Sequence, residues 1–301
     1  MAEKSQLSFL ASATKPRAEL LGLQARQTVE GLQSISPRGS FRGYARDFTG
    51  HREFSAGQEL RHIDWRAGAG RGRSLRGQMA EGSNIPAQLV VDGSASMNYG
   101  SGEISKFDYA LSLAASFSYL LLRQADPVQL SFFNESVRDC TPLVHGAENF
   151  SVLINQMATW NTSGSTKIGE SVRELSEKLK PGGVVVLISD FLEEEDSWIE
   201  AVERIRFQRC VTLLIRVMDP QEIGFNFEGP VEFEALEGEE KLTVHPEQIR
   251  LAYLEELERF TKTMKEVAAR CESHYLLADS SRPVSEILES YLLFRRQPRR
   301  G

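Results

Sequence analysis

Residues 88–97 read QLVVDGSASM, and residues 184–190 read VVVLISD. Each is a short apolar run that stops at an aspartate, Asp92 in the first and Asp190 in the second. Apolar runs without polar alternation suit strands that are buried on both faces of a parallel sheet. Between them, Ile104, Phe107, Leu111, Ala114, Phe117 and Leu121 recur at three- and four-residue steps, which predicts an amphipathic helix over 104–123. The same reading predicts strands at 128–133, 211–217 and 275–277, with 137–140 as a hairpin partner. Helices are predicted over 147–158, 167–179, 195–206, 246–271 and 283–293. This alternation defines an α/β chain: a doubly wound, mostly parallel sheet of Rossmann type with helices on both faces.

The flanks behave differently. Residues 16–33 read as a helix whose apolar face is Leu20, Leu21, Leu23, Val29 and Leu32. Residues 34–85 are crowded with Gly, Arg and Ser, yet Phe41, Tyr44, Phe48, Phe54, Ile63 and Trp65 supply anchors that a disordered linker lacks. The expected organisation is an N-terminal helix and a loop-rich basic arm (1–85) packed on a main domain (86–295). A β-hairpin insertion is expected near 229–245, turning at Glu237-Gly238, and a frayed tail at 296–301.

Charge and cysteine usage narrow the function classes. The chain carries a net charge of −7, but residues 1–85 hold 13 Lys+Arg against 8 Asp+Glu, and the remainder 22 against 34. A basic arm on an acidic body fits a self-complementary surface better than nucleic-acid binding. Cys140, Cys210 and Cys271 are odd in number and far apart, which fits a reducing compartment and a cytoplasmic location. The most apolar run, Val184 to Ile188, falls far short of the roughly twenty residues of a membrane helix, so no membrane association is expected.

In a doubly wound sheet, ligands collect at the carboxyl ends of the strands. Asp92-Gly93-Ser94-Ala95-Ser96 follows the first strand, Asp190 follows the central one, and the loop Asn161 to Thr166 leads into a helix between them. Asp92, Ser94, Ser96, Thr166 and Asp190 are all oxygen donors, which suit a hard divalent cation, Mg2+ or Mn2+, better than zinc. In this reading Ser94, Ser96 and Thr166 bind directly, and Asp92 and Asp190 directly or through water. Ser and Asp also serve as helix caps and turn residues, the plainer use of the same side chains.

The set resembles the metal-ion-dependent adhesion site of von Willebrand factor A domains: DxSxS at Asp92, Ser94 and Ser96, a threonine in a Gly-rich loop at Thr166, and an aspartate after an apolar strand at Asp190. The arm extends the likeness. His51-Arg52-Glu53-Phe54, Gly57 and Arg61-His62-Ile63-Asp64-Trp65 resemble the signature of the bacterial family called domain of unknown function fifty-eight. That family's usual acidic pair after the glycine is Gln58-Glu59 here. Arg52, Gly57, Arg61, Asp64 and Trp65 are read as a structural signature, with Arg61 pairing Asp64 and Trp65 docking on the sheet domain. A second metal or nuclease site at His51, Glu53, His62 and Asp64 is the weaker reading.

The resemblance implies a non-catalytic, metal-dependent protein–protein interaction module. Its implied partner is a MoxR-type AAA+ ATPase that offers an acidic residue to the metal, in chaperone-like assembly or remodelling of other proteins. The competing reading is a metal-dependent phosphoryl hydrolase using Asp92 and Asp190. Nucleic-acid binding through the arm is weaker still. Because the ligands follow strand ends, they are expected on surface loops, where Asp92→Ala or Thr166→Ala would leave the fold intact.

Overall fold

The computed structural model describes residues 2–35, 48–53, 75–79, 85–227, 231–234 and 241–295, with side chains described over 14–32, 85–227 and 245–295. Six strands form the central sheet: β3 (Ala87–Asp92), β4 (Val128–Phe133), β5 (Val137–Cys140), β6 (Val184–Ser189), β7 (Val211–Met218) and β10 (His274–Asp279). Their order is β10-β7-β6-β3-β4-β5, with every pair parallel except β4 and β5. The chain starts in the middle of the sheet, builds outward to one edge, then returns and builds toward the other. The order therefore reverses between β3 and β6, the crevice where such sheets hold ligands. This is the doubly wound, mostly parallel, Rossmann-type architecture expected from the sequence.

Helices cover both faces. On one face pack α1 (Ala2–Ile35), α2 (Lys106–Arg123), α3 (Phe150–Met157) and α8 (Val284–Arg295). Their core includes Val29, Leu113, Phe117, Leu153 and Leu288 against Leu89, Val91 and Ile188 of the sheet. On the other lie α4 (Ile168–Ser176), α5 (Glu195–Phe207) and α7 (Pro246–Arg270), which bury Val172, Trp198, Val202 and Met264 against Val90, Leu187 and Leu214. Alternate residues of β3 thus enter opposite cores, as a strand period of two requires. Trp198 meets Phe191 edge-on at 6.1 Å and Phe260 at 5.7 Å, which closes this second core.

Three expectations need correction. The first helix runs from Ala2 to Ile35 with Pro16 inside it, longer than 16–33. Its buried stripe is Ala18, Leu21, Ala25, Val29 and Leu32, whereas Leu20 is 56% and Leu23 55% exposed. Steps of three and four residues trace one helical face, and Leu20 and Leu23 fall off it. Second, the stretch read as loops contains two strands, β1 (Phe48–Glu53) and β2 (Leu75–Met79), which pair antiparallel with an irregularity between Phe48 and Gly50. Third, a short helix, α6 (Pro220–Gly224), follows β7 and was not foreseen. The expected hairpin is present as antiparallel β8 (Val231–Glu234) and β9 (Lys241–Val244). Arg52 lies on β1, paired in register with Arg76. Gly57, Arg61, His62, Asp64 and Trp65, and with them the docking of the arm, lie outside the described residues.

Candidate metal centre at the strand switch point

Asp92 is the last residue of β3, and Asp190 immediately follows β6, its parallel neighbour. The topology therefore sets the two carboxylates side by side at the reversal of strand order. Two backbone hydrogen bonds, Ala95 N to Gly164 O and Ser163 N to Gly93 O, both 2.8 Å, zip the loop after β3 to the loop carrying Thr166. Asn134, just past β4, holds that loop from beneath: its Nδ2 donates to Ser163 O at 2.8 Å, and its carbonyl accepts Lys167 N at 2.9 Å. Gly164 adopts φ +71°, a backbone conformation that a Cβ disfavours.

All five sequence-predicted ligands meet here. Asp92 Oδ1 accepts Ser94 N at 2.8 Å, and Asp92 Oδ2 accepts Ser189 Oγ at 2.5 Å and Thr166 Oγ1 at 3.4 Å. Ser94 Oγ and Ser96 Oγ lie 3.0 Å apart. Ser94 precedes a single 3₁₀ turn, Ala95–Asn98, yet its side chain makes no capping bond to it. The plainer reading of Ser94 as a cap therefore fails, whereas both aspartates do form the turns it expects, Asp92 on Ser94 N and Asp190 on Leu192 N at 3.3 Å.

The expectation that the five residues are surface-loop side chains also fails. Asp92 and Ser94 are 0% exposed, and Ser96, Thr166 and Asp190 are buried as well. Strand ends in this fold lie under the loops that follow them, so these residues belong to the floor of the crevice. Burial, and after it the charge of Asp190, push the Asp92 carboxyl up to about 7, against hydrogen bonds from Ser189 and Ser94 that favour its ionised form. Two buried carboxylates with three adjacent hydroxyls, none of them spent on a cap, form a donor set that fits a small hard cation. Among the described residues no cluster of three or more His, Cys, Asp and Glu offers a rival site.

Four residues that sequence reasoning passed over complete the site. Ser189 orients Asp92 and also accepts Phe191 N at 2.9 Å. Lys106, the first residue of α2, is only 1% exposed, and its Nζ lies 2.8 Å from both Asp190 Oδ2 and Glu222 Oε1. Burial alone would lower the lysine pKa, but the two carboxylates outweigh it and raise it. Glu222 in turn accepts Asp219 N at 2.8 Å, and Asp219 accepts Gln221 N, forming a capping box on α6. Asp219 also receives Ser101 N at 2.8 Å and Ser101 Oγ at 2.6 Å, so α6 clamps the loop that precedes α2. A lysine directly after a serine cap reads in sequence as an exposed charge, and only the tertiary fold reveals its partners. Ser189, ending an apolar strand beside Asp190, was the one visible hint.

The chain is similar to the conserved hypothetical protein BatB from Bacteroides thetaiotaomicron, with 12% identity, 70% of this chain and 98% of that chain covered, and a TM-score of 0.46. It is also similar to the SpRpn10 VWA domain, at 11% identity over 68% of this chain and 94% of that one, TM-score 0.41. In sequence it is 24% identical to Uncharacterized protein Rv1480 of Mycobacterium tuberculosis over 214 residues, 70% of this chain and 67% of that protein. Residues 50–263, which hold both the arm signature and the five site residues, match one family throughout, and the chain belongs to that family, described as Protein of unknown function DUF58.

Proposed function

We propose that the chain is a metal-dependent protein–protein interaction module that acts without catalysis in the bacterial cytoplasm. The observation that carries this reading is the convergence of Asp92, Ser94, Ser96, Thr166 and Asp190 at the strand switch point, with both serine hydroxyls free of capping duty. Ser94, Ser96 and Thr166 would hold Mg2+ or Mn2+, with Asp92 and Asp190 supplying negative charge directly or through water. When bound, such an ion is a Lewis acid able to accept a carboxylate from another protein. The residues of the chain supply the rest: a rigid floor at two strand ends, a fixed Asp92, and an Asp190 held in an ion pair by Lys106.

The partner in this reading is a MoxR-type AAA+ ATPase, as the resemblance in the sequence implies, offering an acidic side chain. The cytoplasmic location is supported by three cysteines that are all unpaired. Among the described residues no helix is long and apolar enough to cross a membrane.

The test is a pull-down from native lysate with tagged full chain, run with magnesium and with EDTA, and read by mass spectrometry. The expected result is an AAA+ ATPase retained only with magnesium. Retention indifferent to EDTA removes the metal from the mechanism, and retention of no specific protein removes the interaction module.

A further inference from the structure

A buried lysine is costly, and at the first position of a helix the macrodipole adds to the cost, because the N-terminal end of a helix carries partial positive charge. Lys106 accepts both penalties. Its ammonium is held 2.8 Å from Asp190 Oδ2 on one side and 2.8 Å from Glu222 Oε1 on the other. A methionine would fill the same space without a charge. The remaining oxygen of Asp190 accepts Leu192 N at 3.3 Å, so both oxygens of this carboxylate already have partners inside the protein. Glu222 is fixed independently through the capping box of α6, and α6 is fixed through Asp219 on Ser101 and Tyr99 OH on Gln221 at 3.0 Å. The lysine is thus positioned from outside the centre by an element that contributes no candidate ligand.

We infer that Lys106 sets the divalent affinity of the candidate metal centre by holding Asp190 in an ion pair. This rests on the metal-dependent reading above and deepens it. A centre with two free carboxylates would bind a divalent ion tightly and satisfy its charge from within. With Lys106 lodged between Asp190 and Glu222, Asp190 gives only part of its charge to the ion, and Asp92 is the candidate carboxylate that has no cation paired to it. A cation bound there is weakly held and keeps a strong affinity for an outside carboxylate. Lys106 is a positioning residue in this scheme and touches neither the ion nor the partner.

The experiment measures Mn2+ binding to the full chain by electron paramagnetic resonance of the free ion, alongside thermal melting. Lys106→Met is expected to bind Mn2+ about tenfold more tightly than wild type, because a unit charge near a divalent ion in a partly screened site carries at least that factor. It is also expected to melt lower. A merely structural ion pair predicts lower stability with affinity unchanged or reduced. The double variant Lys106→Gln with Glu222→Gln keeps the net charge of the site and still releases Asp190, so it decides the matter should Lys106→Met not fold; it too is expected to bind more tightly than wild type. Lys106→Arg, which preserves the charge, is expected to bind like wild type. Wild-type binding of Mn2+ with no gain in the released variants overturns the role of Lys106 and leaves the metal centre standing. No Mn2+ binding by any of the proteins overturns the metal centre itself.

Discussion

Ser189 Oγ donates to Asp92 Oδ2 at 2.5 Å, and this one hydroxyl joins the ends of the two strands between which the sheet reverses order. The same oxygen accepts Phe191 N at 2.9 Å, where the backbone enters the left-handed region at φ +59°. A bulky residue in that region is strained, and it persists only where surrounding contacts impose it. Here the imposing contacts are the serine hydroxyl and the burial of the Phe191 ring against Trp198. The aspartate that opens the candidate centre and the loop that carries the second one are therefore mechanically coupled.

Replacing Ser189 by Ala removes a donor from a buried carboxylate and leaves Phe191 N without its acceptor. The expected loss is about 1–3 kcal/mol of stability, the usual cost of orphaning a buried polar group. Urea unfolding monitored by circular dichroism measures it. An unchanged midpoint would show that the hydroxyl does not hold the two strand ends together.

Gly93 is demanded by proximity rather than by backbone angle. A Cβ there would lie 2.0 Å from Phe132 Cε2 and 2.1 Å from its Cζ. Phe132 cannot swing away freely, because its ring stacks on Trp160 with centroids 4.8 Å apart and planes 12° from parallel. Trp160 is itself anchored through Nε1 to Asp139 at 2.7 Å. Gly93→Ala is expected to cost about 1–3 kcal/mol through overpacking. A melting temperature equal to that of wild type would mean that the aromatic stack yields.

Thr166 offers the cleanest separation of site from fold. Its hydroxyl makes only a long 3.4 Å bond to Asp92, so Thr166→Val removes little structural energy, under about 1 kcal/mol. Asp92 is unsuited to this purpose, since it receives three donors in the interior. Thr166→Val is expected to retain its partner in magnesium no better than wild type does in EDTA. Full retention by a folded Thr166→Val would remove the threonine from the ligand set.

What the sequence revealed and what it hid follow from chain separation. The strands were legible because Val184 to Ile188 and Leu89 to Val91 face cores on both sides and need no polar alternation. Asp92, Ser94 and Ser96 were legible because one turn of chain carries all three. Thr166 and Asp190 were legible because strand ends and a Gly-rich loop mark them. Lys106 was not, because its partners lie 84 and 116 residues away and its own neighbourhood reads as an ordinary helix start. Ile104, assigned to the apolar face of that helix, is exposed before it begins. Three leucines crowded into residues 20–23 masked an alanine-containing stripe of which only Leu21 is part. The strands FTGHRE and LRGQM have too few apolar positions to show a period of two.

At the opposite end of the sheet, a second buried ion pair closes the fold without touching the candidate centre. Arg295, the last residue of α8, places Nη2 2.5 Å from Asp126 Oδ2 and Nη1 2.6 Å from Gln124 Oε1. Asp126 Oδ1 also accepts Ile85 N at 3.1 Å, so this carboxylate holds both the turn before β4 and the chain entering β3. The pair is nearly dry, with side chains 15% and 5% exposed. Removing one partner from such a pair strands a buried charge, which costs about 3–5 kcal/mol, whereas removing both is far milder. Arg295→Met is therefore expected to lower stability by about that amount in urea unfolding, and adding Asp126→Asn should recover a large part of it. Mn2+ binding in Arg295→Met, measured below its melting transition, is expected to match wild type, because the pair lies at the amino-terminal edge of β3 and the candidate ligands at its carboxyl end. A loss below about 1 kcal/mol would instead place the pair among solvent-screened surface bridges.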